Sequence, residues 1–281
     1  MTRALNADLH SHSCISDGLL TPSALAERAH ANGVDLFALT DHDELEGLAE
    51  ARARAEALGM RFVDGVEISV TWGNDQTLHI VGLGVDPSYA VLDIGLARLR
   101  SGRDQRARRM AEELARVGIH GAYEGALRFV TNPALVGRSH FARYIVECGH
   151  AKDVKSVFDH WLAKDKPGYV SHEWTTLATA LDWIHRAGGV AVLAHPGRYR
   201  ITKGELRRLL GEFRDLGGEG IEVISGSHND EEMMTMARHA REFGFMASRG
   251  SDFHGPDESR IDLGKLPSLP DGVTPIWQIF A

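Results

Sequence analysis

Along the chain, short apolar runs of strand length alternate with stretches of helical spacing, and most of the runs end in a polar residue. Residues 34–40, VDLFALT, are nearly all apolar and stop at Asp41-His42-Asp43, which predicts a strand with a polar tip. Residues 61–70 predict a strand carrying Glu67 among Val66, Ile68 and Val70, and residues 77–85 a fourth strand carrying His79. Later runs at 169–171, 190–194, 220–224 and 245–248 read the same way; the second delivers His195, the third is followed by Ser227-His228, and the last leads into Asp252-Phe253-His254. Helices fall between them. Thr21-Pro22 reads as an N-cap with proline at the first helical position, opening a helix over 23–32 that Gly33 stops. Others are predicted over 45–58, 177–187, 203–216 and 231–243.

The rhythm changes near Leu96. A long arginine-rich helix is predicted over 96–117, then helices over 139–147 and 154–162, with no strand among them. This predicts a helical insertion, 99–166, acting as a cap on a discontinuous barrel of 1–98 and 167–281. The arginines from Arg98 to Arg116 read as a solvated helix face paired with Asp104, Glu112 and Glu113. Gly137-Arg138-Ser139-His140 opens one insertion helix, a place suited to an anion, and Arg198 follows a turn near the predicted mouth; either arginine could clamp a phosphate or make a domain-interface salt bridge.

The alternation matters most at residues 7–18, ADLHSHSCISDG. Side chains two apart on a strand share a face, so Asp8, His10 and His12 can point together from one strand end, with Asp17 swinging back in a Ser-Asp-Gly turn. Asp252 and His254 repeat the spacing of His10 and His12. Together His10, His12, Asp17, His42, Glu67, His79, His195, Asp252 and His254 sit on or just after predicted strands, and burying them without a shared charge partner would be costly. A multinuclear metal site is therefore expected. Asp8, Asp41 and Asp43 read equally as orienters of imidazole or as ordinary strand-end turn residues. His30, His120, His150, His160, His185 and His239 read as surface or half-buried histidines.

Composition narrows the chemistry. The 281 residues hold two cysteines, far apart, so nitrogen and oxygen must supply the ligands. A net charge of -8 argues against a broad nucleic-acid face, though not against a local positive pocket. No long apolar run predicts a membrane span. The start, MTRALNADLHSH, leaves no room for a cleavable signal, so a cytoplasmic setting is expected.

DLHSH, the Ser-Asp-Gly after it, T-DH at the second strand, G-VE at the third, AHP late and S-DFH near the end occur in that order, and the chain thereby resembles the PHP (polymerase and histidinol phosphatase) family, related to the amidohydrolases. The resemblance implies an α/β fold, a distorted (β/α)7 barrel, with three divalent ions. One would take His10, His12, Glu67 and Asp252, a second Glu67, His79 and His195, and a third Asp17, His42 and His254, with Glu67 as the bridge. Manganese is the first expectation, with iron or zinc as alternatives. Three divalent ions against three carboxylates leave a positive site suited to a phosphate dianion.

GRSHFAR and HPGRYR resemble the short bacterial members that act on 3′,5′-nucleotide bisphosphates such as pAp, or that trim short 5′-phosphorylated RNA in the 5′-3′ direction. The expected reaction is removal of the 3′-phosphate by a metal-bridging hydroxide. Asp252 would take the proton, His195 or His140 would protonate the leaving group, and Arg138, Ser139, His140, Arg198 and His228 would contact substrate. Histidinol phosphate phosphatase and a non-catalytic PHP accessory module are the alternatives, and no obligatory protein partner is evident.

Overall fold

A computed structural model describes residues 5–280; the first four residues of the expected signal-free start lie outside them. Seven strands form one sheet in the order of the chain: β1 (Ala7–Asp8), β2 (Leu36–Leu39), β3 (Arg61–Trp72), β4 (Gln76–Leu83), β5 (Val190–Leu193), β6 (Gly220–Ser225) and β7 (Met246–Gly250). Beyond β1 the chain runs alongside the end of β7. Leu9 N–H donates to Arg249 O at 3.0 Å and Asp252 N–H to His10 O at 2.9 Å, closing a distorted barrel. Helices α1 (Pro22–Ala31), α2 (Leu48–Ala57), α3 (Ala90–Ser101), α8 (Leu177–Arg186), α9 (Lys203–Asp215) and α10 (Asp230–Phe243) accompany the strands. The helices α4 (Arg103–Arg116), α5 (Ala122–Leu127), α6 (Arg138–Glu147) and α7 (Val154–Val157) lie between α3 and α8.

Local chemistry sets the boundaries where the sequence said it would. Thr21 caps α1, its hydroxyl accepting from Ala24 N–H at 3.2 Å, and Pro22 opens the helix. Two expectations need correction, those for residues 96–117 and 169–171, and one strand runs against its neighbours. β4 runs antiparallel to both β3 and β5, because only residues 73–75 separate it from β3 and a parallel return needs a crossover of a dozen residues or more. The helix expected over 96–117 is two, α3 and α4, divided at Gly102, where a Cβ would lie 2.6 Å from the His172 ring. Residues 169–171 form no strand; the nearby ladder contact is a single bridge from Val70 to Thr175.

The core divides in a way that bears on the site. Leu92, Leu96 and Leu99 of α3 pack into the barrel cluster with Val66, Ile80 and Leu181. Ala107, Met110, Leu114, Phe141, Ile145 and Leu162 form a separate apolar cluster among the intervening helices. At the barrel seam there is no spare room. A Cβ on Gly250 would lie 2.3 Å from His10 Cβ and 2.9 Å from its backbone N, so Gly250→Ala is expected to cost roughly 1–3 kcal/mol of stability, read as a lower urea midpoint.

Candidate metal centre

The strand ends bring all nine expected ligands together. Glu67, fully buried on β3, is their centre. Its Oε1 lies 3.0 Å from His79 Nδ1, 3.0 Å from His195 Nε2 and 3.3 Å from His10 Nε2. Its Oε2 lies 2.9 Å from His42 Nδ1 and 3.3 Å from His12 Nε2. Asp252 Oδ1 stands 3.2 Å from His12 Nε2, and Asp17 Oδ1 3.3 Å from His254 Nε2. Three groups have ligand atoms within 4.8 Å of one another: His10, His12 and Glu67; His42, Glu67 and His79; and His12, Asp17, His42 and His254.

These residues fit divalent ions. Ligands about 2.1 Å from a common ion stand roughly 3 Å apart, as these do. His12 Nδ1, Asp17 Oδ1, His42 Nδ1, Glu67 Oε2, His79 Nδ1 and His195 Nδ1 are buried without a hydrogen-bond partner, which folded proteins rarely leave so. Burial alone would raise the carboxyls of Asp17, Glu67 and Asp252, but the surrounding imidazoles outweigh it and hold all three well below the usual carboxylate range. Burial and the neighbouring His254 and His42 pull His12 down to about 3, and burial pulls His79 down to about 4. For His254 burial is outweighed by Asp17, which pushes the ring up to about 9. The donor set is thus anionic oxygen with imidazole nitrogen, suited to a borderline divalent cation.

The backbone is bent to serve this cluster. Asp43, His195 and Asp252 adopt φ of 52°, 29° and 54°, the left-handed region that side chains disfavour, and each lies just past a strand at the site. Tyr199 braces two of the ligand segments: its hydroxyl accepts from His79 N–H at 3.0 Å and donates to Ala194 O at 2.8 Å.

The three aspartates flanking the ligands do not orient imidazoles. Asp8 accepts from Ser251 N–H and Gly264 N–H at 2.8 Å each, and Asp41 from Ser13 and Ser16. Asp43 accepts from Ser69 N–H at 2.8 Å and pairs with Arg103. The orienter is Glu222 on β6, which the sequence reading passed over. Its Oε1 accepts from His10 Nδ1 at 2.6 Å and its Oε2 from His195 N–H at 2.6 Å.

Above the cluster lies a cleft with Asp17, His42, Glu67, His79, His195, Asp252 and His254 on its floor and Arg103, Arg106, Arg138, Ser139, Phe158, Trp174 and Arg198 on its walls. Arg103 and Arg106 overturn the reading of the α4 arginines as a solvated face; both are buried against Trp174, their charges 4.8 and 5.5 Å from its ring. Among the described residues only Arg108 with Asp104 and Arg116 with Glu113 form the expected exposed pairs. Burial, Arg138 and Arg103 lower the Arg106 guanidinium to about 9, and burial with Arg198 lowers that of Arg138. Among the described residues neither has a carboxylate partner: Arg106 donates to Val170 O at 3.1 Å and Arg138 lies over the Phe158 ring.

The other expected contacts divide. Arg198 reaches the cleft but donates to Asp252 Oδ2 at 2.8 Å, and Ser139 Oγ donates to Asp17 Oδ2 at 2.7 Å. His140 does not line the cleft; it is buried behind the wall, its Nδ1 accepting from Gly137 N–H at 3.1 Å, and burial draws it down to about 4. His228 is fully buried and spent on the fold, Nδ1 donating to Val223 O and Nε2 accepting from Gly197 N–H. His239 is buried beside Glu242 and His185 half-buried against Glu219, whereas His30, His120, His150 and His160 are exposed.

A profile described as the PHP domain matches residues 8–162. The chain is 50% identical to a 3′,5′-nucleoside bisphosphate phosphatase of Chromobacterium violaceum, over 97% of this chain and 95% of that protein. It is 43% identical to the 5′-3′ exoribonuclease Rnm of Escherichia coli, over 97% of this chain and 93% of the other. A Chromobacterium violaceum amidohydrolase structure with bound sulfate and no metal superposes with a TM-score of 0.94 at 49% identity, covering 98% of this chain and 95% of that one.

Proposed function

The domain match and these identities make the chain a member of the PHP family, and from that premise we propose that it hydrolyses the 3′-phosphate of 3′,5′-nucleotide bisphosphates, converting pAp to AMP and phosphate. The observation that carries this is the pair Arg106 and Arg138. Arg106 is buried and Arg138 half-buried in the cleft, their guanidiniums repel each other without a carboxylate between them, beside a floor of candidate metal ligands, and a second phosphate of the substrate would relieve that repulsion.

Three divalent ions, manganese first, with Fe2+ or Zn2+ as alternatives, would be held as the sequence reading divides them: one by His10, His12, Glu67 and Asp252, one by Glu67, His79 and His195, and one by Asp17, His42 and His254. Bound there, they supply positive charge for the phosphoryl oxygens and make water available as a nucleophile near neutral pH. Arg138 and Arg106 hold the non-reacting phosphate. Asp252 accepts the proton of the attacking water, and the departing 3′-oxygen takes its proton from solvent, because His140 does not reach the cleft and His195, which does, has its Nε2 turned to the ion it would share with Glu67. Residues 99–166 serve as the cap that carries Arg106 and Arg138 over the barrel. The two unpaired cysteines, Cys14 and Cys148, go with a cytoplasmic setting, and no helix of the described residues is long and apolar enough to cross a membrane.

Phosphate release from pAp, AMP, adenosine 3′-monophosphate and histidinol phosphate by the manganese-loaded protein tests the reading, with short 5′-phosphorylated RNA alongside. Preference for pAp supports it. Faster cleavage of RNA would instead favour the activity named for the Escherichia coli relative. Arg138→Ala is expected to raise KM for pAp roughly 10- to 100-fold, the loss of a charged hydrogen bond. Turnover of a simple monophosphate should stay within about twofold. Equal loss on both substrates would remove Arg138 from the role.

A further inference from the structure

One helix, α6, fastens onto both loops that bring Asp17 and His254 together. Ser139 Oγ donates to Asp17 Oδ2 at 2.7 Å, and Arg143, one turn on and on the same face, donates through Nη2 to the Asp17 carbonyl at 2.5 Å. The same guanidinium forks onto Glu258, Nε to Oε1 at 2.7 Å and Nη2 to Oε2 at 2.8 Å. Glu258 lies in the loop that follows β7, beside Ser259, whose Oγ accepts from His254 N–H at 2.7 Å. The Arg143 side chain is 5% exposed and that of Glu258 14%. Neither lines the cleft.

A buried ion pair is a poor source of stability, because desolvating both charges offsets most of their attraction. Its geometry is better suited to fixing position. A two-pronged Arg–carboxylate contact allows little rotation, and here it joins three chain segments: the turn with Asp17, the loop after His254 and the helix whose first residue is Arg138. Ions and substrate thus share one lever. Any shift of α6 moves Ser139 off Asp17 and Arg138 off its place in the cleft together.

We propose that Arg143 and Glu258 are positioning residues for the ion of the Asp17–His42–His254 group, and that through α6 this ion and the anion on Arg138 strengthen each other's binding. The proposal rests on the three-ion reading above. Such a coupling is reciprocal: whatever factor the anion adds to ion affinity, the ion adds to anion affinity.

The test is Mn2+ titration followed by the electron spin resonance of free Mn2+, with and without AMP. Wild type, Arg143→Lys and Glu258→Gln are compared, with circular dichroism and thermal unfolding alongside. Lysine keeps the charge but loses the fork, and glutamine keeps the shape but loses the charge. Both folded variants are expected to hold two ions as the wild type does and to bind the third roughly 10- to 100-fold more weakly. AMP should tighten that ion in the wild type and less so in the variants, and excess Mn2+ should restore kcat in Glu258→Gln. Unchanged ion affinities with a lowered Tm would make the clasp merely structural and overturn the proposal. A wild type that never takes up a third ion would overturn the three-ion reading and the proposal with it, and differs from the first failure because the wild type itself falls short.

Discussion

Glu67→Gln is expected to strip most of the bound metal and to slow phosphate release from pAp by on the order of 10³-fold or more, the loss of several kcal/mol of charge stabilisation. The two oxygens of Glu67 stand between 2.9 and 3.3 Å from nitrogens of five imidazoles, so no other residue belongs to as much of the cluster. Glutamine leaves no cavity, but its amide nitrogen carries hydrogens where an ion needs a lone pair. Two ion positions share this carboxylate in the proposed division, and both should weaken while the Asp17–His42–His254 position keeps its ligands. Metal content of the purified variant, counted by mass spectrometry, and kcat/KM on pAp check the prediction. A full complement of ions with activity within tenfold of wild type would mean that Glu67 does not bridge.

What could be read from the sequence was what local rules control. Alternation on a strand brings His10 and His12 to one face, and it does so again for Asp252 and His254, so the cluster was legible although its residues lie on or just past six strands and in a turn. The direction of β4 is also local, because the three residues after β3 leave only a hairpin. That signal was present and unused. Arg103 and Arg106 were misread because arginine on a helix is usually solvated; the better sign was their place with Ala107 and Met110 on the apolar side of α4, away from Glu112 and Glu113. Beyond His42, His79, His195 and His254, which histidines reach the cleft was not legible. His140 and His228 read as substrate contacts by position, and only packing turns their rings to Gly137 and Gly197.

Glu222 had the same sequence signature as Glu67, a carboxylate inside an apolar strand, Ile221-Glu222-Val223 against Val66-Glu67-Ile68. Its replacement should be felt almost as widely. With Oε1 accepting from His10 Nδ1, the other ring nitrogen of His10 keeps its lone pair for an ion; with Oε2 accepting from His195 N–H, the left-handed turn at His195 stays in place. Glu222→Gln can serve only one of these donors, because its nitrogen donates where the carboxylate accepted. Ion affinity is expected to fall roughly 10- to 100-fold, with kcat/KM at limiting Mn2+ falling in step and recovering as Mn2+ is raised. Asp8→Asn is the control. Asp8 is as buried as Glu222 and accepts two backbone N–H groups, yet it touches no imidazole, so its replacement should cost roughly 1–3 kcal/mol of stability and leave ion affinity unchanged. If both variants lose stability alike and bind ions alike, Glu222 merely fills its site; divergence between them, read in one Mn2+ titration, assigns it the orientation of His10 and His195.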